Sequence, residues 1–598
     1  MTKTETLQAP HVPVSIRTGL SRRRIIAVLV GALLGMMLGA LDQTIVGTAM
    51  PRIISDLNGM AHYSWVFTAY MLASTVTIPI YGKLSDLYGR RPFFLFGMIV
   101  FLVGSALSGL SGSMTQLIVF RALQGLGAGA LVPIAVAIIG DIFPPAERGK
   151  WQGLMTSVFG LATIIGPLLG GWLTDNWGWR WVFYVNMPVG ALAIITSAVA
   201  FPKRTHRVEH KVDYTGAALL VGGTVPMLLA FSWAGNQYAW RSTQVVALLV
   251  ASAFVLVAFV AYELRKAPEP IINPRLFGNR IFSVSAAAAF MLSAGMMGAV
   301  LFLPLFVQAV IGTSATNSGI ILMPMMLGFM FSSIVGGQIM SRTGRYKILA
   351  LVALVIAAFG MHMLSTLDET ATNTLVIRSM IVVGLGMGVL MSLFAIAVQN
   401  AFPLRRIGEV SAGLTFMRSI GGTIGAAVLG SVMTSRFKSG LEAGLSPMVK
   451  RFFPAQQLAQ ITENPQVLMQ KQATAKLKAG FAAFGSFGEQ EFAGFMHALR
   501  HALAGAIAHL SLIGMFAIIL ALLVTLFLKE IPLRKTHHEA EAAPGAAAVE
   551  FDAEADWEDT VEAEEDRAVR PGDALTQVAD GPAASPPAAQ VAGKPDSV

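Results

Sequence analysis

The sequence contains no cysteine, which excludes disulfide staples, thiolate metal sites and cysteine nucleophiles. Charge is scarce as well. Asp, Glu, Lys and Arg make up 13% of the 598 residues, against about 25% in a soluble domain. A soluble chain of this length would split into several domains with polar surfaces, and here there is too little charge to cover them. No GxxxxGK[ST] loop occurs, and no polar stretch between apolar blocks is long enough for a nucleotide domain, which disfavours an ATP-driven pump. What is present instead is apolar sequence, 54% of the chain, gathered in long blocks. A block of about 20 apolar residues is what a helix needs to cross a bilayer.

The length criterion predicts about fourteen spans. They run near 25–50, 62–81, 93–112, 115–140, 151–174, 180–201, 214–234, 243–263, 280–310, 317–340, 347–366, 374–400, 408–435 and 502–528. Arg22, Arg23 and Arg24 precede the first apolar run, which is longer than a cleavable leader and is read as a membrane helix. The net charge of +9 does not indicate nucleic acid, because the basic residues sit in short loops between apolar blocks. Lys83, Arg90, Arg91, Arg148, Lys150, Lys203, Arg204, Arg265, Lys266, Arg342, Arg345, Arg405 and Arg406 all fall on one side, whereas the other side holds few, such as Arg52, Arg180 and Arg241. The positive-inside rule makes the basic side cytoplasmic, and an even number of spans then places both termini there.

These spans organise the chain as a tail (1–24), a six-helix bundle (25–201), an inserted helix pair (202–266), a second six-helix bundle (267–528) and an acidic tail (529–598). The expected class is an all-α integral membrane protein. Residues 436–499 are expected to form a long external loop, a candidate contact for lipid or a periplasmic partner. The Ala-, Pro- and Glu-rich tail, including Glu554 to Asp566, has the composition of a disordered segment. A weak internal repeat supports two halves: Arg121 is followed by Gly125, Gly127 and Gly129, and Arg378 by Gly384, Gly386 and Gly388, with the second arginine displaced by two residues. Repeats of this kind mark transporters, with substrate near the midplane between the halves.

Asp42, in LGALDQTIVGTAMP, is read as the only carboxylate in the interior of a span. A charge at the bilayer centre costs at least ~2.5 kcal/mol and is usually functional. Burial disfavours the charged form of a carboxylate, so such a group can load and release protons. At 1.5 Å per residue, Asp42 lies ~25 Å along the first helix from its basic end, and Arg121 ~9 Å below the other end of the fourth. The two fall at similar depth and can meet, either as a switchable pair that takes up and releases a proton or as a permanent lock between two helices. In GKLSDLYGRRP, Gly82 and Gly89 permit a tight turn, Asp86 suits the N-terminus of another helix, and Arg90 and Arg91 are expected to pair with carboxylates such as Asp141. GLATIIGPLLGG carries Gly160, Gly166, Gly170 and Gly171, a small-residue face for close helix contact, with a bend at Pro167. His497, His501 and His509 share one helix face and are weighed as metal ligands of a membrane enzyme, although no HExxH is present. Met291, Met296, Met297, Met323, Met325, Met326 and Met330 cluster in two spans and suit either an adaptable apolar cavity or plain packing.

Taken together, GKLSDLYGRRP, LDQTIVGTAMP, RALQGLGAGA, GPLLGG and WGWRWVFYVNMPVG resemble the major facilitator superfamily, and more closely its fourteen-helix drug/proton antiporter branch, over residues 25–528. The resemblance implies a proton-coupled exporter of small lipophilic compounds in a bacterial inner membrane, needing no cofactor beyond the proton gradient and no nucleic acid. It implies that Asp42 is the proton-linked carboxylate and Arg121 its coupling partner. It also implies that Asp86 and Arg90 hold an inner gate and that the fifth helix marks export. An endogenous lipid, siderophore or metabolite is the alternative cargo. The thirteenth helix departs from members that export cations: it carries Arg418 and no interior acid, which argues against a strongly cationic substrate.

Overall fold

The computed structural model describes most of residues 21–533, leaving out 58–62, 202–211, most of 450–484 and a few single positions; the acidic tail lies outside the described residues. The described chain contains no strand and is built from long helices. The first six are α1 (Arg22–Leu57), α2 (Tyr63–Tyr88), α3 (Arg90–Leu110), α4 (Met114–Ile142), α5 (Pro145–Asn176) and α6 (Trp181–Ala200, interrupted at Val185). A pair follows, α7 (Tyr214–Trp233) and α8 (Thr243–Arg265). The last six are α9 (Arg280–Leu305), α10 (Ala315–Thr343), α11 (Tyr346–Ser365), α12 (Asn373–Ala401), α13 (Ile407–Gly444) and α14 (Gly485–Thr525).

Thirteen of these helices are long and apolar enough to cross a membrane. The exception is α2, whose Ser, Thr, Tyr and Trp side chains lower its hydropathy. It lies against α4 and α13, and its Thr75 and Tyr81 are buried. Thr77 Oγ1 donates to the Ala73 carbonyl of the same helix at 2.8 Å. The chain is thus a multi-pass membrane protein.

The two sets of six pack by the same rule. In the first, α4 lies on α2 and α3, and α1 on α5 and α6; in the second, α12 lies on α10 and α11, and α9 on α13 and α14. The glycines of the internal repeat make this equivalence. A methyl group at Gly125 or Gly129 would strike α2 at the carbonyls of Tyr70 and Ser74, and one at Gly127 would strike α3 at Phe101. Gly384 and Gly388 meet the carbonyls of Met325 and Phe329 on α10, and Gly386 meets Ala357 on α11. Close backbone approach at small residues is how helices associate where lipid offers no hydrophobic drive.

The expected external loop at 436–499 is partly helix. α13 continues to Gly444 and α14 starts at Gly485. At 1.5 Å per residue, helices of 38 and 41 residues run to about 60 Å, twice the ~30 Å hydrocarbon core. Their projecting parts stay paired, with Gly440 against Ala502 and Gly444 against Ala498. The Ser446 hydroxyl donates to Glu491 at 2.6 Å. The middle of this segment lies outside the described residues.

Candidate functional site

Asp42 lies midway along α1 with no exposed surface, in a cage of donors. Arg121 Nη1 on α4 donates to Asp42 Oδ2 at 2.5 Å. Gln124, one turn further along α4, donates from Nε2 to Asp42 Oδ1 at 2.8 Å, and its Oε1 accepts from Arg121 Nη1 at 2.8 Å. Asn186 at the break in α6 donates to Asp42 Oδ1 at 3.2 Å and to Ser105 Oγ at 3.0 Å. The Arg121 guanidinium lies 4.2 Å from the centre of the Tyr70 ring and 6.0 Å from that of Phe183. Asp42, Arg121, Gln124, Asn186 and Ser105 are all completely buried. The carboxylate therefore has one charged and two neutral donors and no water-exposed edge. Removing one partner of such a pair would leave an uncompensated buried charge.

Sequence reasoning missed Gln124, Asn186, Ser105 and Tyr70. Gln124 sits three residues after Arg121, the spacing at which two side chains on a helix face the same partner. Asn186 lies inside WGWRWVFYVNMPVG, next to the interruption of α6. Neither Ser105 nor Tyr70 stands in a pattern that singles it out.

A second cluster joins the halves at the basic end. Asp86, in the last turn of α2, accepts from the Gly408 N–H at 3.1 Å and the Glu409 N–H at 2.6 Å, the free amides at the start of α13. A helix N-terminus favours an anion there. Arg90 pairs with Asp86 and also with Asp141, from Nε to Oδ2 at 2.9 Å and from Nη2 to Oδ1 at 3.3 Å. Gly89 holds the turn between α2 and α3 at φ 97°, which favours glycine.

Two residues of this motif act differently from expectation. Gly82 is not in the turn: it lies within α2, where a methyl group would collide with Ala412 of α13. Arg91 does not join the carboxylates: its Nη2 donates to the Ala198 carbonyl on α6 at 2.6 Å. Arg148, 1% exposed, was read as a topology signal. It closes the end of α4 through the carbonyls of Phe143 and Gly140, at 2.8 and 2.7 Å, and reaches Gln399 of α12.

Helix α5 carries the remaining contacts. Gly149 and Gly337 place α5 and α10 backbone to backbone, and Gly153 meets the Ser333 carbonyl. Higher up, Gly160 packs on Met330, while Gly166 and Gly170 pack on Thr44 and Thr48 of α1. Pro167 lies inside the helix. Gly171 is not part of this face, since an added Cβ there would meet nothing within 4 Å. The Thr44 hydroxyl donates to the Ala162 carbonyl at 3.1 Å, tying α5 to α1 two residues beyond Asp42. Thus α5 touches the buried carboxylate's helix at one end and the other half at its basic end.

The histidines do not gather around a metal position. His497 and His501 each pair with Glu369, at 3.3 and 2.7 Å, and stand largely exposed. Among the described residues no group of three His, Cys, Asp or Glu side chains could hold a metal ion.

Residues 32–426 match the family model described as Major Facilitator Superfamily. The chain is 38% identical to "Multidrug transporter protein MdtP" of Bacillus subtilis (strain 168), covering 87% of this chain and 96% of that protein. It is 37% identical to "Multidrug resistance protein 3" of the same organism, covering 85% and 96%. Among solved structures it resembles the proton:xylose symporter XylE at 14% identity and a TM-score of 0.52, over 87% of this chain and 99% of that one. That last likeness is one of fold. With the helix repeat and the buried pair, these matches show that the chain belongs to the major facilitator superfamily.

Proposed function

We propose that this protein is a proton-driven exporter of small lipophilic compounds, an antiporter of a bacterial inner membrane with both termini in the cytoplasm. The observation that carries the reading is the Asp42 cage: a fully buried carboxylate, bonded to one arginine and two amides, on a helix packed against the helix that joins the halves. When Asp42 is ionised, it holds Arg121. A proton on Asp42 replaces the anion by a neutral acid, and the pairing with Arg121 weakens. The rearrangement passes through Thr44 to α5 and so to the Gly149–Gly337 crossing. Proton uptake and the state of the cytoplasmic junction are then two readings of one equilibrium. In this structure the two halves are in contact at that junction.

Substrate chemistry follows from the second half. Arg418 of α13 touches the Met391 sulfur at 3.6 Å, and among the described residues no carboxylate acts on it. An arginine at mid-depth with no counter-charge repels cations and suits neutral or acidic lipophilic compounds. The names of the Bacillus relatives support drugs as cargo. The test uses purified protein in proteoliposomes. A proton gradient alone should drive accumulation of a lipophilic dye, and a protonophore should abolish it. Accumulation that ignores the gradient would overturn the proposal.

A further inference from the structure

Asp213 and Glu263 lie outside the site described above, at the basic end of the α7–α8 pair. Asp213 caps α7, its Oδ1 accepting the Gly216 N–H at 2.7 Å. Glu263 stands in the last turn of α8 and accepts the Ile271 N–H at 3.3 Å through Oε1. They are 7% and 4% exposed. Each keeps one buried oxygen, Asp213 Oδ2 and Glu263 Oε2, that has no hydrogen-bond partner among the described residues. Both carboxyls crowd Gly216: a methyl group there would strike Asp213 Oδ2 and Glu263 Oε1 together.

Among the described residues, the surrounding charge offers Glu263 no counter-ion. The charges acting on it are Asp213 and Glu409, both acidic. The cations Lys83 and Arg406 act on Glu409, beside which Asp86 also lies. Arg265 and Lys266 at the end of α8, Glu269 and Arg275 in the connection to α9, and Lys211 two residues before Asp213 are the other charged groups nearby in the chain. Two buried carboxylates beside one glycine repel each other, and a buried acceptor without a donor is unfavourable. One proton resolves both problems: the O–H of one acid donates to the carboxylate of the other.

We propose that Asp213 and Glu263 form a second proton-binding site, one proton held between the two carboxyls, which anchors the inserted helix pair to the junction between the halves. The anchor is a continuous chain of bonds. Glu263 holds Ile271, and two residues on, Asn273 N–H donates to Glu409 Oε1 at 3.2 Å. The Glu409 N–H in turn donates to Asp86 Oδ2 at 2.6 Å, and Asp86 pairs with Arg90. Loss of the proton to water at the basic face leaves two repelling buried anions and loosens the connection that braces Glu409. Rising pH at that face therefore opens the junction. This site is separate from Asp42, and the proposal does not depend on the direction or cargo of transport.

The test is made on full-length protein in lipid nanodiscs carrying Asp42→Asn, so that the first carboxyl is silent. Infrared difference spectra between about pH 6 and about pH 9 should show loss of one protonated-carboxyl band. That band should be absent in Asp213→Asn and in Glu263→Gln. Asn still caps α7, and Gln still accepts from Ile271, so both variants keep the fold. Because the chain has no cysteine, Ser333→Cys reports opening of the junction by its labelling rate. The rate should rise at least about tenfold across this range in the otherwise unaltered chain, and less than about twofold in either variant. A band that persists in both variants, or an unchanged pH response of labelling, overturns the proposal. So does labelling that follows sodium at fixed pH, which would make the pair a metal-cation site.

Discussion

The two halves use the same helix contacts, yet the chemistry sits in one of them. α4 and α12 present equivalent glycines to equivalent neighbours. Arg121 of α4 is completely buried on Asp42, whereas Arg378 of α12 is exposed. The sequence shift of two residues explains this: two residues turn a helix by about 200°, to its far side. The first half thus carries a self-satisfied charge network, and the second carries Arg418 with no acid beside it among the described residues. Glycine spacing preserves packing, while the position of one arginine decides which half holds a buried ion pair.

The largest effect tests that contrast directly. Arg121→Ala should leave Asp42 buried without its cation, a destabilisation of ~3–5 kcal/mol, and should abolish coupled transport. Arg378→Ala should change stability by less than ~0.5 kcal/mol, as surface substitutions do. Thermal unfolding of both in detergent measures the pair. Equal losses would mean that α12 carries hidden charge chemistry of its own.

The next effect concerns the junction. Asp86→Ala removes the acceptor at the start of α13 and one partner of Arg90. Hydrogen bonds to a charged group are worth ~1.5–3 kcal/mol each, so the closed form should lose at least ~1.4 kcal/mol and the population ratio shift tenfold or more. Labelling of Ser333→Cys in this background measures the opening; a rate equal to that of the parent would reduce the loop to a topology anchor. Arg91→Ala, which removes a bond to Ala198 within the first half, should leave the junction closed.

The smallest contrast lies within one helix. Gly149→Leu should wedge the α5–α10 crossing apart and slow transport severely, because a Cβ at Gly149 meets the Gly337 backbone. Gly171→Leu, with open space around it, should leave transport rates within about twofold. Dye accumulation in proteoliposomes separates the two, and equal impairment would deny that α5 acts through its basic end.

The helices were legible because spanning a bilayer demands length and apolarity, and both are written locally. α2 was found by length although its hydroxyls dilute its hydropathy. Asp42 and Arg121 were legible for the same reason: charge in an apolar run is conspicuous. Gln124 and Asn186 were not, because neutral amides are unremarkable until the fold brings α4 and α6 to one carboxylate. Gly82 and Arg91 were misplaced, since a turn motif does not show which of its residues look outward to a neighbouring helix. The Asp213–Glu263 pair needs contact between the ends of two helices 50 residues apart, a relation that no local pattern records.

Substrate-induced proton release tests the account's central claim most directly. Detergent-solubilised protein is mixed with a transported dye, and protons are counted with a pH indicator across a pH series. The unaltered protein should release protons over a limited pH range, and Asp42→Asn should bind the dye but release none from this site. If Asp42→Asn releases as many protons as the unaltered protein, the coupling carboxyl lies elsewhere and the role given to the α1–α4 pair is wrong.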